Sequence, residues 1–237
     1  MMSTLERVQA LWRDLADAPA AFREPVTIVG SDRLRCAPPG WVGVVTIGAA
    51  TVVAGPTAEL DRLRHLFVDV DPSQFAEPNG IVELVRPKRT LGPTLLFYGD
   101  ADRVASFACV DGVSGPVSVE DERVVAVLSD ATEDERDECG LADGAEGLHL
   151  AVDSSGRPAA ICGWAKWPHE IAHVGVLAAR ARRGDGSARR VADAVLTAAQ
   201  SAQLVPQWRA ATTNVASIRL ALSLGLTELG SQLSLRL

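Results

Sequence analysis

Nine consecutive residues, Arg180-Ala-Arg-Arg-Gly-Asp-Gly-Ser-Ala188, set arginines and two glycines at the entry to a helical pattern. The unpaired N–H groups of a first helical turn, with about half a positive charge from the helix dipole, make such an entry an anion site, and phosphate is its natural ligand. Gly184 and Gly186 let the backbone approach closely, while Arg182 and Arg183 add charge-assisted hydrogen bonds. An ordinary surface loop with solvated arginines is the competing reading. Nucleic acid is not favoured, because the arginines of 180–190 have no aromatic residues between them.

Just upstream, His169-Glu-Ile-Ala-His173 spells His-Glu-x-x-His, in which two histidines four apart on a helix bind zinc and the glutamate activates water. That chemistry demands a helix. Ile171, Val174, Val176 and Leu177, with Gly175 among them, favour a strand, whose rise separates His169 and His173 by about 13 Å, too far for one ion. The Gly-x-x-His extension is missing and Glu228 is the sole glutamate downstream, so a zinc protease is the weakest reading and no metal is expected.

These residues need a strand, a turn and a helix in that order. The pattern predicts the strand over 170–177 and the helix over 186–203, with Val191, Ala194, Val195, Ala198 and Ala202 on one face and Pro206 ending it. Around them it predicts strands over 124–128, 147–152, 158–167, 207–211 and 233–237, and helices over 132–138 and 215–224, the last capped by Gly225. Upstream, Ser3 and Glu6 have capping-box spacing in a helix that ends before Pro19. Strands follow over 25–29, 42–47, 51–54 and 93–98, with a helix over 58–68, and Gly112, Gly115 and Pro116 mark a boundary.

The 237 residues are 47% hydrophobic and 22% charged, which excludes disordered and fibrous chains and allows one or two globular domains. A net charge of −7 opposes phosphate backbones and anionic membranes, and no apolar stretch suits a membrane span or signal peptide. Cys36, Cys109, Cys139 and Cys162 form no Cys-x-x-Cys pair, so reduced thiols in a cytoplasmic protein are expected.

Arg183-Gly-Asp-Gly-Ser-Ala188 resembles the Arg/Gln-x-x-Gly-x-Gly/Ala pyrophosphate loop of the GCN5-related N-acetyltransferases (GNAT). Pro206-Gln-Trp208, Asn214-x-x-Ser217 and Leu222-Ser-Leu-Gly225 are similar to that family's later strand and helix. The resemblance covers about 147–237. It implies an α/β fold with a mixed sheet: an acetyltransferase domain over 119–237, preceded over 1–118 by a smaller mixed α/β lobe that is open to being a degenerate half of the same kind.

The resemblance further implies acetyl-coenzyme A as acyl donor and a primary amine, on a small molecule or a protein, as acceptor; it leaves a homodimer open. Backbone amides of Arg183, Gly184, Asp185, Gly186, Ser187 and Ala188 would hold the diphosphate with Arg182 beside them, and the backbone around Val174, Val176 and Leu177 would line the pantetheine arm. Asn214, with Ser217, would meet the pantetheine or the thioester. A helix N-cap before Val215 is the other reading of Asn214, and the two roles are compatible.

Glu170 stands thirteen positions before Arg183, as a glutamate does in several members of the family. The implied role is general base: an ammonium with a pKa of about 10 must lose a proton before it attacks, and a partly desolvated carboxylate of raised pKa takes it. A solvent-facing glutamate at a strand start is the alternative, and His173 and His169 are further base candidates. The chain departs from the family twice. Ala221 stands where many members place a tyrosine acid, and its sole tyrosine is Tyr98. Asp185 puts a carboxylate into the phosphate loop, a repulsion of roughly 2 kcal/mol at about 7 Å and an effective dielectric of about 20. A fold that holds acyl-coenzyme A without turnover is therefore the second reading.

Overall fold

The computed structural model describes residues 2–64, 66–67, 70–71, 74–75, 78–100, 112–141 and 145–237. Cys109 lies outside them, as do His65 and Val68 of the helix expected over 58–68. The chain divides into two compact units, one made of Met1–Phe97, Arg209–Ile218 and Glu228–Leu237, the other of Tyr98–Trp208 and Arg219–Thr227.

The first unit opens with helix α1 (Thr4–Ala16). Ser3 Oγ accepts the Glu6 N–H at 3.3 Å and the Ser3 N–H donates to the Glu6 carboxylate at 2.7 Å, the capping box that the spacing predicts. Asp17, in the left-handed conformation, closes the helix ahead of Pro19, and Val8, Leu11 and Trp12 bury its apolar face. Strands β1 (Val26–Gly30), β2 (Val42–Ile47), β3 (Ala50–Gly55), β4 (Arg89–Tyr98) and β10 (Thr227–Arg236) run in the order β1-β3-β2-β10-β4. β1 and β3 are parallel, and β2 lies antiparallel to both β3 and β10. Helices α2 (Thr57–Arg64) and α3 (Pro78–Val85) supply Leu60, Leu63 and Ile81 to a core with Val42, Val44, Val53, Leu233 and Leu235. β10 starts six residues before the apolar pattern at 233, because its first six residues, Thr-Glu-Leu-Gly-Ser-Gln, hold four polar side chains and a glycine and so carry no apolar alternation.

In the second unit, β5 (Val113–Ser114), β6 (Glu146–Val152), β7 (Pro158–Trp167) and β8 (Ile171–Ala178) are antiparallel in sequence order. β9 (Val205–Ala211) joins β8 in parallel, from Ile171 opposite Val205 to Val174 opposite Trp208. Helices α4 (Glu122–Asp130) and α5 (Glu133–Cys139) pack Val124, Val127 and Cys139 against Leu148, Leu150, Ile161 and Leu177. Helix α6 (Ser187–Ser201) contacts β6, β7 and β8 and buries Val191, Val195 and Ala199.

The strand expected over 124–128 is instead part of α4. Its β-branched run favours a strand locally, but Asp121 accepts the Arg123 N–H at 2.9 Å as an N-cap, and Val124 and Val127 are buried while Val125 is 45% exposed. A three-residue apolar spacing is a helical stripe, and tertiary burial overrides the propensity. Among the described residues no helix is long and apolar enough to cross a membrane.

Candidate functional site

The arginine-glycine segment is the turn between β8 and α6. Ala179 N–H donates to Ala159 O at 2.9 Å where β8 ends, Arg180–Arg182 form one 3-10 turn, and Arg183 is extended. Gly184 and Gly186 then take φ values of 86° and 85°, a conformation that a Cβ disfavours. A Cβ on Gly184 would meet nothing within 4 Å, so backbone conformation rather than crowding requires glycine, and the space above the turn is clear. Gly186 is the N-cap of α6 and has no side chain to offer. Among the described residues the amides of Gly184, Gly186 and Ala188 have no acceptor, as the first turn of a helix leaves them.

The charges of the turn are largely engaged. Asp185 Oδ1 accepts the Ser187 N–H at 2.8 Å. Burial by itself raises the Asp185 carboxyl, but the hydrogen bonds from Ser187 and the charges of Arg190 and Arg182 outweigh it and hold the group below the usual carboxylate range. Arg182 pairs with Asp153. Hydrogen bonds from Ser155 and Arg157, with the Arg182 charge, bring the Asp153 carboxyl down to about 2. Arg183 reaches Glu135 at 2.7 Å and Arg180 reaches the same carboxylate at 3.9 Å. Glu135 is itself fixed by the Thr132 N–H in the capping box of α5, and this bond, with the Arg183 partner, lowers its pKa. Both arginines expected to meet phosphate thus hold carboxylate partners, and the backbone amides of Gly184, Gly186 and Ala188 are donors with no acceptor among the described residues.

Val174 and Leu177 are buried in β8 and Val176 is half-buried. The parallel ladder with β9 stops at Val174, and β8 runs on through 175–178. Asn214 and Ser217 belong to the first unit. There Asn214 Oδ1 accepts the Ser217 N–H at 3.1 Å, an N-cap at the start of helix α7 (Val215–Ser223).

Glu170 is not on the strand but in the turn before it, with φ 59°; its side chain is 52% exposed and its carboxylate lies 3.0 Å from Lys166 Nζ. His169 shares that turn, with φ 61°, while His173 lies in β8. The helix that His-Glu-x-x-His zinc chemistry demands is therefore not formed, and the protease reading falls with it. Among the described residues no three metal-ligating side chains gather.

His173 is held by residues that sequence reasoning missed. Its Nδ1 lies 3.2 Å from Gln207 Oε1, and Gln207 Nε2 donates to Tyr98 Oη at 2.6 Å. Because the Gln207 amide nitrogen is spent on Tyr98, its carbonyl oxygen must accept from His173, which fixes the neutral ring as the Nδ1–H tautomer. Trp167 stacks on the same ring, with centroids 4.6 Å apart. Gln207 is fully buried. A glutamine among Val205, Pro206 and Trp208 was the available signal, since buried polar groups need partners.

Solved structures share this architecture. A GNAT acetyltransferase from Colwellia psychrerythraea matches with a TM-score of 0.54 and 14% identity, over 99% of this chain and 97% of its own. A protein assigned to the GNAT acetyltransferase family from Novosphingobium aromaticivorans matches with a TM-score of 0.50 and 23% identity, over 63% of this chain. This chain spans 65% of the length of the latter. No family model matches the sequence, and no curated protein matches it. The likeness is one of fold, and it is not confined to 119–237: the chain has the fold of the GNAT acetyltransferases.

Proposed function

We propose that the chain binds acetyl-coenzyme A at 183–188 and transfers its acetyl group to a primary amine. The glycine turn carries this reading: two left-handed glycines lead onto the N-terminus of α6 with amides that have no acceptor among the described residues, directly after a strand whose parallel ladder with β9 stops four residues before its end. A diphosphate suits the amides of Gly184, Gly186 and Ala188 and the helix dipole behind them. Asp185 has to release the Ser187 amide for a full set of donors. Backbone groups near Val174, Val176 and Leu177 offer hydrogen bonds to the pantetheine amides, and Arg182 and Arg183 hold the turn in shape through Asp153 and Glu135.

Bound acetyl-coenzyme A supplies an acetyl thioester; the amine gains the acetyl group and gives up one proton, and coenzyme A leaves as the thiol. Glu170 and His173 are the proposed proton acceptors. Glu170 lies at the surface beside Lys166, whereas His173 has its ring fixed by Gln207 and Trp167. Asn214 and Ser217, at the head of α7, are the proposed polar contacts for the arm of the cofactor.

A second reading, acyl-coenzyme A binding without turnover, is favoured by the Asp185–Ser187 bond and by fully buried Ala221 at the position where the resemblance implies an acid. Titration with acetyl-coenzyme A, then thiol release with a panel of amines, separates the two. An enzyme whose base is Glu170 or His173 loses turnover by about a hundredfold or more in Glu170→Gln or His173→Phe while still binding cofactor. Binding with no thiol release supports the second reading, and no binding overturns both.

A further inference from the structure

A cleft of about 370 Å³ opens in the first unit, lined among others by Arg35, Cys36, Thr94, Arg209, Gln232 and Ser234. That volume falls in the range of small-molecule sites. Among the described residues two guanidiniums and no carboxylate line it, in a chain with 30 acidic and 23 basic residues. We propose that this cleft recognises a small oxyanion-bearing molecule, a carboxylate or a phosphate, through Arg35 and Arg209.

The site is built. Arg209 Nη2 donates to Gln232 Oε1 at 2.6 Å, and Gln232 Nε2 donates to Cys36 O at 2.5 Å, so a two-bond relay orients the Arg209 fork. A guanidinium with a fixed plane suits the bidentate geometry of an oxyanion. Gly92, with φ 93°, brings β4 so close to β10 that a Cβ there would stand 2.9 Å from Gln232 O. The Arg35 backbone N–H donates to Leu15 O at 2.6 Å, while its guanidinium makes a long bond to Asp14 O, at 3.5 Å. Asp17, whose charge Arg35 influences, is already engaged by Ser31 Oγ at 2.6 Å and by Arg33. The hydroxyls of Thr94 and Ser234 add donors of the right kind. Burial pushes the Cys36 thiol up to about 12, so it stays protonated and the cleft binds rather than reacts. The inference shares no residue with the acetyltransferase reading.

The test is a site-resolved titration of the full chain by amide NMR, with inorganic phosphate and separately with succinate. Saturable shifts at Cys36, Gly92 and the Gln232 side chain are expected with at least one probe, and the responding probe identifies the class. Arg35→Ala and Arg209→Lys should each weaken binding about tenfold or more, the loss of a charge-assisted contact. Arg35 is exposed, so Arg35→Ala serves if Arg209→Lys does not fold. No saturable shift at these signals with either probe, or affinity unchanged in Arg35→Ala, overturns the proposal. Shifts at 183–188 on adding coenzyme A report separately on the acetyltransferase reading.

Discussion

Asp185 and Ser187 form a bond of 2.8 Å in which the carboxylate of one takes the first amide of α6 from the other. The helix end that would receive a diphosphate therefore already carries an anion of its own. An incoming cofactor displaces that carboxylate or shares the site with its charge, and either course costs affinity.

Asp185→Asn keeps a capping oxygen and removes the charge. Acetyl-coenzyme A should then bind about tenfold tighter, with the gain shrinking as salt is raised. Calorimetry at two ionic strengths measures both, and equal affinities would show that the carboxylate does not oppose the cofactor.

Gly184→Ala puts a Cβ on a residue with φ 86°. With no neighbour within 4 Å the penalty is conformational alone, about 1–2 kcal/mol. Urea midpoints should record that loss and titration a weaker cofactor affinity; an unchanged midpoint would mean that the turn relaxes freely.

Gln207→Leu removes the bridge between His173 and Tyr98. Stability should fall by about 2 kcal/mol, the cost of stranding buried polar groups. Long-range nitrogen–proton spectra should show the Nδ1–H form of His173 in the parent chain and a mixture with the Nε2–H form in the variant. A parent chain already in the Nε2–H form would contradict the assignment.

Asp153 has its carboxyl held at about 2, first by Ser155 and then by Arg157 and Arg182. A depressed value means that the unfolded chain binds the proton first, so this contribution is complete above about pH 4 and is lost as the pH falls towards 2. Denaturation midpoints from pH 5 to 2 should decline, and Asp153→Asn should flatten that decline. Parallel curves for the two proteins would remove Asp153 from the acid transition.

The parts of the fold that were legible are those in which local chemistry suffices. Ser3 and Glu6 foretell their capping box, Pro158–Trp167 is a strand over its whole expected length, and the glycines at 184 and 186 announce the turn that they form. Where two local signals compete the reading fails: in 124–128 β-branching outweighed the apolar spacing that buries Val124 and Val127. The strand expected to start at Glu170 starts one residue later, at Ile171, and that single step leaves Glu170 in an exposed turn. Tyr98 and Gln207 are 109 positions apart, and no pattern of period two or 3.6 links residues so remote. The ion pairs of Arg182 with Asp153 and Arg183 with Glu135 were hidden for the same reason.

All six residues of β2, Val-Gly-Val-Val-Thr-Ile, are buried, and one of its ladders is completed by β10, where Gly230 faces Ile47 and Leu235 faces Val42. During synthesis this sticky segment leaves the ribosome with that flank bare, and its natural cover is translated only about 180 residues later, since Gly230 pairs with Ile47 (230 − 47 = 183). A message that stops early would release a chain with a naked, uncharged strand, the kind of sequence that seeds cross-β stacking between copies.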